Sequence, residues 1–141
     1  MRSVEELYTM SQHPDENGHV IVWESEQSSD IKLWARHDTP KKVRPYPPYS
    51  ITLDGEVVTV FDSNSQITDY RRATLFTRLL ERTVVPVVED RTLVPIEMLA
   101  DGNASIAAYL FTVHRYSERE ICDIMSVTRR TVKQYISDIK N

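Results

Sequence analysis

Ser117-Glu-Arg-Glu-Ile-Cys-Asp-Ile-Met-Ser-Val-Thr-Arg-Arg-Thr-Val-Lys-Gln-Tyr-Ile-Ser-Asp-Ile-Lys140 decides how this chain is read. It opens on a capping box. The Ser117 hydroxyl is placed to accept the Glu120 amide proton, and the Glu120 carboxylate to reach back to the Ser117 amide. A short helix is therefore predicted from Glu118 to Met125, with Ile121, Ile124 and Met125 inward. Ser126 and Val127 make a tight corner. Thr128 caps a final helix, Arg129 to Lys140, that turns Val132, Tyr135, Ile136 and Ile139 inward. Upstream, Asn103 is placed to cap a helix bearing Ile106, Tyr109, Leu110 and Val113 on one face. Three helices with a three-residue turn between the last two have the layout of a helix-turn-helix unit.

The run from Glu118 to Ile136 resembles the trihelical helix-turn-helix of sigma-factor region four, resolvase C-terminal domains and many small regulators. That pattern wants an apolar residue at Ile121, a small one at Cys122, apolar residues at Met125 and Val127, and core residues at Val132 and Tyr135. All are present. The family favours glycine at the corner, where this chain has Ser126; a left-handed serine there costs on the order of 1 kcal/mol. The resemblance covers residues 103–140 and implies a DNA-binding domain whose last helix enters a major groove. It does not reach residues 1–100.

The residues themselves lead the same way. With the apolar set inward, Arg129, Arg130, Lys133, Gln134, Ser137 and Lys140 fall on the open side. Arg129, Arg130 and Gln134, near the helix start, are the candidates for base edges; Thr128, Lys133 and Lys140 suit phosphates. The plain alternative is a solvated basic face. Core pattern, turn spacing and outward donors together favour DNA.

Working toward the N-terminus, Pro95 suits the first turn of a short helix through Leu99, stopped by Asp101-Gly-Asn103. Val84 to Val88 and Thr92 to Val94 are read as a short hairpin or wing, with Pro86 keeping the first at an edge. A helix is predicted near 66–82, with Ile67, Tyr70, Ala73, Phe76, Leu80 and Thr83 on one face and Arg71, Arg78 and Arg82 on another. Those arginines, with Arg72, are read as a solvent face or subunit contact rather than a second phosphate site. Before the helix, the period is two. Val20 to Trp23, Ile31 to Ala35, and the two arms around Asp54-Gly55 are predicted as four antiparallel strands in two hairpins. The proline-rich stretch Pro40 to Tyr49 connects them, and Lys41, Lys42 and Arg44 within it are taken as linker rather than a minor-groove arm. Trp23, Trp34, Tyr46 and Tyr49 are taken as core rather than base-stacking residues. Val4 to Met10 is a short helical stretch.

The expected fold is therefore α+β: a small antiparallel sheet, a linking helix with a wing, and a C-terminal helix-turn-helix. Two parts are expected, a body at 1–101 for dimerisation or partner binding and a DNA-binding domain at 102–141. Charge is divided the same way. Residues 1–70 carry six basic and twelve acidic side chains, whereas 114–141 carry six and four.

Composition narrows the class. At 40% apolar and 27% charged, the chain can bury a core. One cysteine excludes an intrachain disulfide, and Cys122 reads as a packed small residue rather than a redox sensor. The four histidines have no metal-ligand spacing, no glycine-rich phosphate loop occurs, and no nucleophile–base pairing is visible. No cofactor, metal or enzymatic activity is expected. Without an apolar span or leader, the chain is expected to be cytoplasmic and away from membranes. The expected role is a sequence-specific double-stranded DNA-binding protein, a homodimeric regulator of transcription. Two rivals stand beside it: an accessory factor in recombination, replication or partition, and a protein-interaction module that does not bind DNA.

Overall fold

The computed structural model describes residues 19–27, 30–36, 49–63 and 65–140. Residues 4–10, the cations Lys41, Lys42 and Arg44, and Tyr46 lie outside them. The protein is α+β. A four-stranded antiparallel sheet is followed by helices, and its contacts gather into two compact units, Met1–Thr77 and Arg78–Asn141.

The first unit is built on a meander. Strands β1 (His19–Glu24), β2 (Ile31–Arg36), β3 (Tyr49–Leu53) and β4 (Glu56–Phe61) pair in chain order. Asp54 and Gly55 take φ of 54° and 81°, the two left-handed conformations that a two-residue type I′ turn requires. Register places Leu33 opposite Ile51 and Tyr49 opposite Phe61, so one sheet face carries Ile31, Leu33, Ala35, Tyr49, Ile51 and Phe61, all buried. On the other face Trp34 is also buried, its indole N–H donating to the Thr52 hydroxyl at 2.9 Å. Trp34 and Tyr49 are thus core residues, as their size suggests.

Helix α1 (Gln66–Arg82) starts at Ser65, whose hydroxyl accepts the Thr68 amide proton. Asp69, fully buried, accepts the Ser63 amide at 2.8 Å and the Ser63 hydroxyl at 2.6 Å, tying the strand exit to the helix start. The helix lays Ala73 and Phe76 on the sheet, with the Phe76 ring edge-on to Phe61. Its buried face is rotated from the predicted one. Leu75 and Leu79 are buried, while Ile67 is 76% exposed and the half-exposed Tyr70 sets its ring against Tyr49, centroids 5.7 Å apart. Arg78 pairs with Glu81 on the helix surface.

The second unit surrounds one helix. Helix α2 (Ile96–Asp101) begins after Pro95 and is separated by Gly102 alone from α3 (Asn103–Thr112). Gly102, not Asn103, is the N-cap of α3. Its φ of 110° lets the chain turn between two helices without a break, which leaves Asn103 as the first helical residue. Asp101 supports the junction, accepting the Ser105 hydroxyl and the Arg82 guanidinium. Helix α3 is buried almost all round, from Ala107 through Thr112. Helices α4 (Glu118–Met125) and α5 (Arg129–Lys140) pack against it.

No wing forms between Thr83 and Pro95, where the backbone is irregular. The cause is the side chains that occupy its polar groups. The buried Tyr109 hydroxyl donates to the Pro86 carbonyl at 2.7 Å and accepts the Val88 amide proton at 2.9 Å. His114 Nε2 stands 2.7 Å from the Leu93 carbonyl, an acceptor, so that nitrogen carries the ring proton. The Pro86 and Leu93 carbonyls and the Val88 amide, engaged in this way, are not offered to a ladder. The same contacts shift the boundary. Residues 78–101 belong with the C-terminal helices, whereas the sequence pattern divides the chain at 101/102.

Two outcomes are expected. Tyr109→Phe should lose about 1–3 kcal/mol of unfolding free energy, because it removes two hydrogen bonds at once, to the part-buried Val88 amide and Pro86 carbonyl; denaturant titration by circular dichroism measures it. The Ser105 hydroxyl, and after it Arg82, hold the Asp101 carboxyl below its ordinary value. A depressed carboxylate stabilises above the unfolded-state pKa, and that contribution fades as pH falls through the folded-state value. The melting temperature should therefore fall more between about pH 5 and about pH 3 in the natural chain than in Asp101→Asn.

Candidate nucleic-acid interface

The α4–α5 corner is assembled by three local devices. Both halves of the capping box are present: Ser117 Oγ accepts the Glu120 amide at 3.2 Å, and the Ser117 amide donates to Glu120 Oε1 at 2.9 Å. At the far end of α4, Ser126 takes φ 57° and ψ 45°, and the Val127 amide closes back on the Cys122 carbonyl at 3.1 Å. The corner is left-handed, as a glycine-favouring position requires, and a serine occupies it. Thr128 then caps α5, its Oγ1 accepting the Thr131 amide at 3.2 Å and lying 2.9 Å from Thr131 Oγ1. Three residues, 126–128, separate the helices.

The inward set holds on α5, where Val132, Ile136 and Ile139 are buried; Tyr135 is half-buried. On α4 only Ile121 is fully buried. Met125 is partly open and Ile124 is 50% exposed, a departure from the expected inward trio. Cys122 is half-buried and free.

The seven candidate residues separate into three groups. Arg130 and Gln134 stand opposite the buried stripe, exposed. Arg129, Lys133 and Lys140 recur along one flank of the helix, also exposed. Thr128 and Ser137 are the least available: the Thr128 hydroxyl is engaged as a cap, and Ser137 is half-buried and already bonded. Gln134 donates through Nε2 to Asp138 Oδ1 at 2.8 Å, which leaves its amide oxygen outward. Arg129, Arg130, Lys133 and Lys140 hold no ion pair with any described residue. Arg129, grouped by sequence with the base-edge candidates, shares its flank with the two lysines. One further donor was not singled out by the sequence reading: Arg119, exposed in the first turn of α4 and unpaired among the described residues. Its place beside the capping box is the signal that marks it.

This arrangement can present cations and amide donors to an anionic, grooved surface. Among the described residues no three His, Cys, Asp or Glu side chains converge as a metal site would require, and no helix is long and apolar enough to cross a membrane. Comparison with protein-family models, with curated proteins and with solved structures returns no match.

Ser126→Gly should stabilise the chain by about 1 kcal/mol, since glycine adopts this left-handed geometry without steric cost. Denaturant titration of both forms checks it, and an unchanged or lower midpoint would show that the corner is not strained.

Proposed function

We propose that the protein binds double-stranded DNA sequence-specifically, reads the major groove with α5, and regulates transcription in the cytoplasm as a homodimer. One observation carries this reading. Four exposed cations with no described partner stand on α5, Arg130 opposite its core stripe and Arg129, Lys133 and Lys140 along one flank, behind a capped three-residue corner. Arg130, opposite that stripe, suits the O6 and N7 acceptors of guanine, where an arginine forks in two hydrogen bonds. Lys133, Lys140 and Arg129 along the flank suit the phosphates of one groove wall, and Arg119 suits the other.

Self-association has its own support in the first unit. The outer strands β1 and β4 expose Ile21, Val22, Val57 and Val60, apolar residues at both edges of the sheet. A second copy would double the contacts of a reading helix that buries little surface alone and would match a palindromic site.

Selection of bound sequences from a random duplex pool, followed by mobility shift at two salt concentrations, tests the proposal directly. Absence of any salt-sensitive shift would leave the trihelical unit as a packing module. Within a bound complex the residues should divide their work. Arg130→Ala should cost about 1–3 kcal/mol on the selected site and relax preference at one base pair. Lys140→Ala should weaken all duplexes alike and lower the salt slope by about one unit. If Arg130→Ala leaves both selected and scrambled affinities unchanged, α5 is not the reader.

A further inference from the structure

The second unit contains a cavity that the DNA reading does not use. It opens between the turn at residues 91–94, α3, Tyr116 and α4, and has a volume of about 440 Å³. Its wall is apolar, formed by Val94, Ile106, Leu110, Tyr116, Ile124 and Met125; its polar lining comes from Arg91 and Thr92. The half-exposed Ile124 faces this space instead of the core. Small-molecule sites run to roughly 300–1,000 Å³ and combine apolar walls with a few placed polar groups.

Arg91 is held in place. Its Nε donates to the His114 carbonyl at 3.0 Å, its guanidinium carbon lies 4.2 Å from the centre of the Tyr116 ring, and the Tyr116 hydroxyl donates to the Arg91 carbonyl. No described carboxylate pairs with it. The adjacent Asp90 is turned to its own loop, accepting the Thr92 amide at 2.9 Å and the Thr92 hydroxyl at 2.6 Å. An oriented cation whose terminal N–H groups meet no acceptor among the described residues thus borders an apolar space. Charge complementarity and wall chemistry select one class of occupant.

We propose that this cavity binds a small carboxylic acid with an apolar aliphatic or aryl-alkyl body, its carboxylate on the terminal N–H groups of Arg91 and its body against Ile106, Leu110, Ile124 and Met125. The site stands whether or not the protein binds DNA. The test is titration of the full chain, followed by methyl resonances, with decanoate and phenylbutyrate, and with decanol and phenylbutanol as uncharged counterparts. Both acids should shift the Ile106, Leu110, Ile124 and Met125 methyls saturably, and the alcohols should bind at least about tenfold more weakly. Arg91→Gln should weaken the acids by about tenfold or more. Because Arg91 also steadies Tyr116, a pair of variants at the half-exposed Ile124 provides the independent check. Ile124→Glu should abolish acid binding by repulsion, and Ile124→Lys should preserve it. Failure of both acids to bind at millimolar concentration, equal binding of acids and alcohols, or indifference to the sign of charge at position 124 would each overturn the proposal.

Discussion

A phenol buried in a helical unit needs both an acceptor and a donor, and Tyr109 finds both in one irregular stretch of chain, at Pro86 and Val88. The rest of the second unit follows from that pairing. The hydroxyl fixes residues 84–88 along α3 without a sheet. His114 and Arg91 repeat the device further along, one side chain on the Leu93 carbonyl and the other on the His114 carbonyl. With these sides of α3 covered, α5 packs on the helix through Val132, Ile136 and Ile139, and its polar side faces out. The orientation of the basic flank is therefore set by hydrogen bonds and packing some distance from it in sequence.

The parts of the fold that could be read directly were those whose cause is local. Asp54-Gly55 prescribes its own turn, Ser117 and Glu120 cap each other, and Thr128 caps α5, all within four residues of chain. The α5 stripe was equally clear because β-branched and aromatic residues recur at helical spacing next to a polar face. What escaped depends on distant partners. Nothing near Val84 to Val94 announces that a tyrosine and a histidine from beyond residue 108 will claim part of its backbone, so two short valine-rich and leucine-containing runs around Glu89-Asp-Arg91 read as a hairpin or wing. Asn103 is a good capping residue by type, but Gly102 has the positive φ needed to join α2 directly to α3. On α1 the helical period alone does not tell which apolar residues are covered: Ile67 satisfies the spacing yet is exposed, and Tyr70 reaches the sheet only through its ring on Tyr49.

At the candidate interface the same distinction holds. Which residues are donors was evident from their type, and the outward side of α5 from the apolar stripe. Their availability was not. Thr128 spends its hydroxyl on the helix end, Ser137 sinks partly inward, and Gln134 is shared with Asp138. Four cations unpaired among the described residues remain, and they stand in a segment whose net charge is only +2. A field so weak supplies little long-range steering, so any preference for one duplex over another must come from the fit of individual side chains.

Strand order in the first unit equals chain order. Every ladder of the sheet consequently joins immediate neighbours, across connections of six, twelve and two residues at 25–30, 37–48 and 54–55. Loop closure costs only about 0.6 kcal/mol more for each doubling of length, so none of the three pairings faces a large entropic barrier. Topologies of low contact order form quickly, and this one can zip outward from the tight turn at Asp54-Gly55 without waiting for any distant strand. The strands can thus pair while the chain is still being synthesised, with their apolar face left open until α1 emerges and lays Ala73 and Phe76 on it.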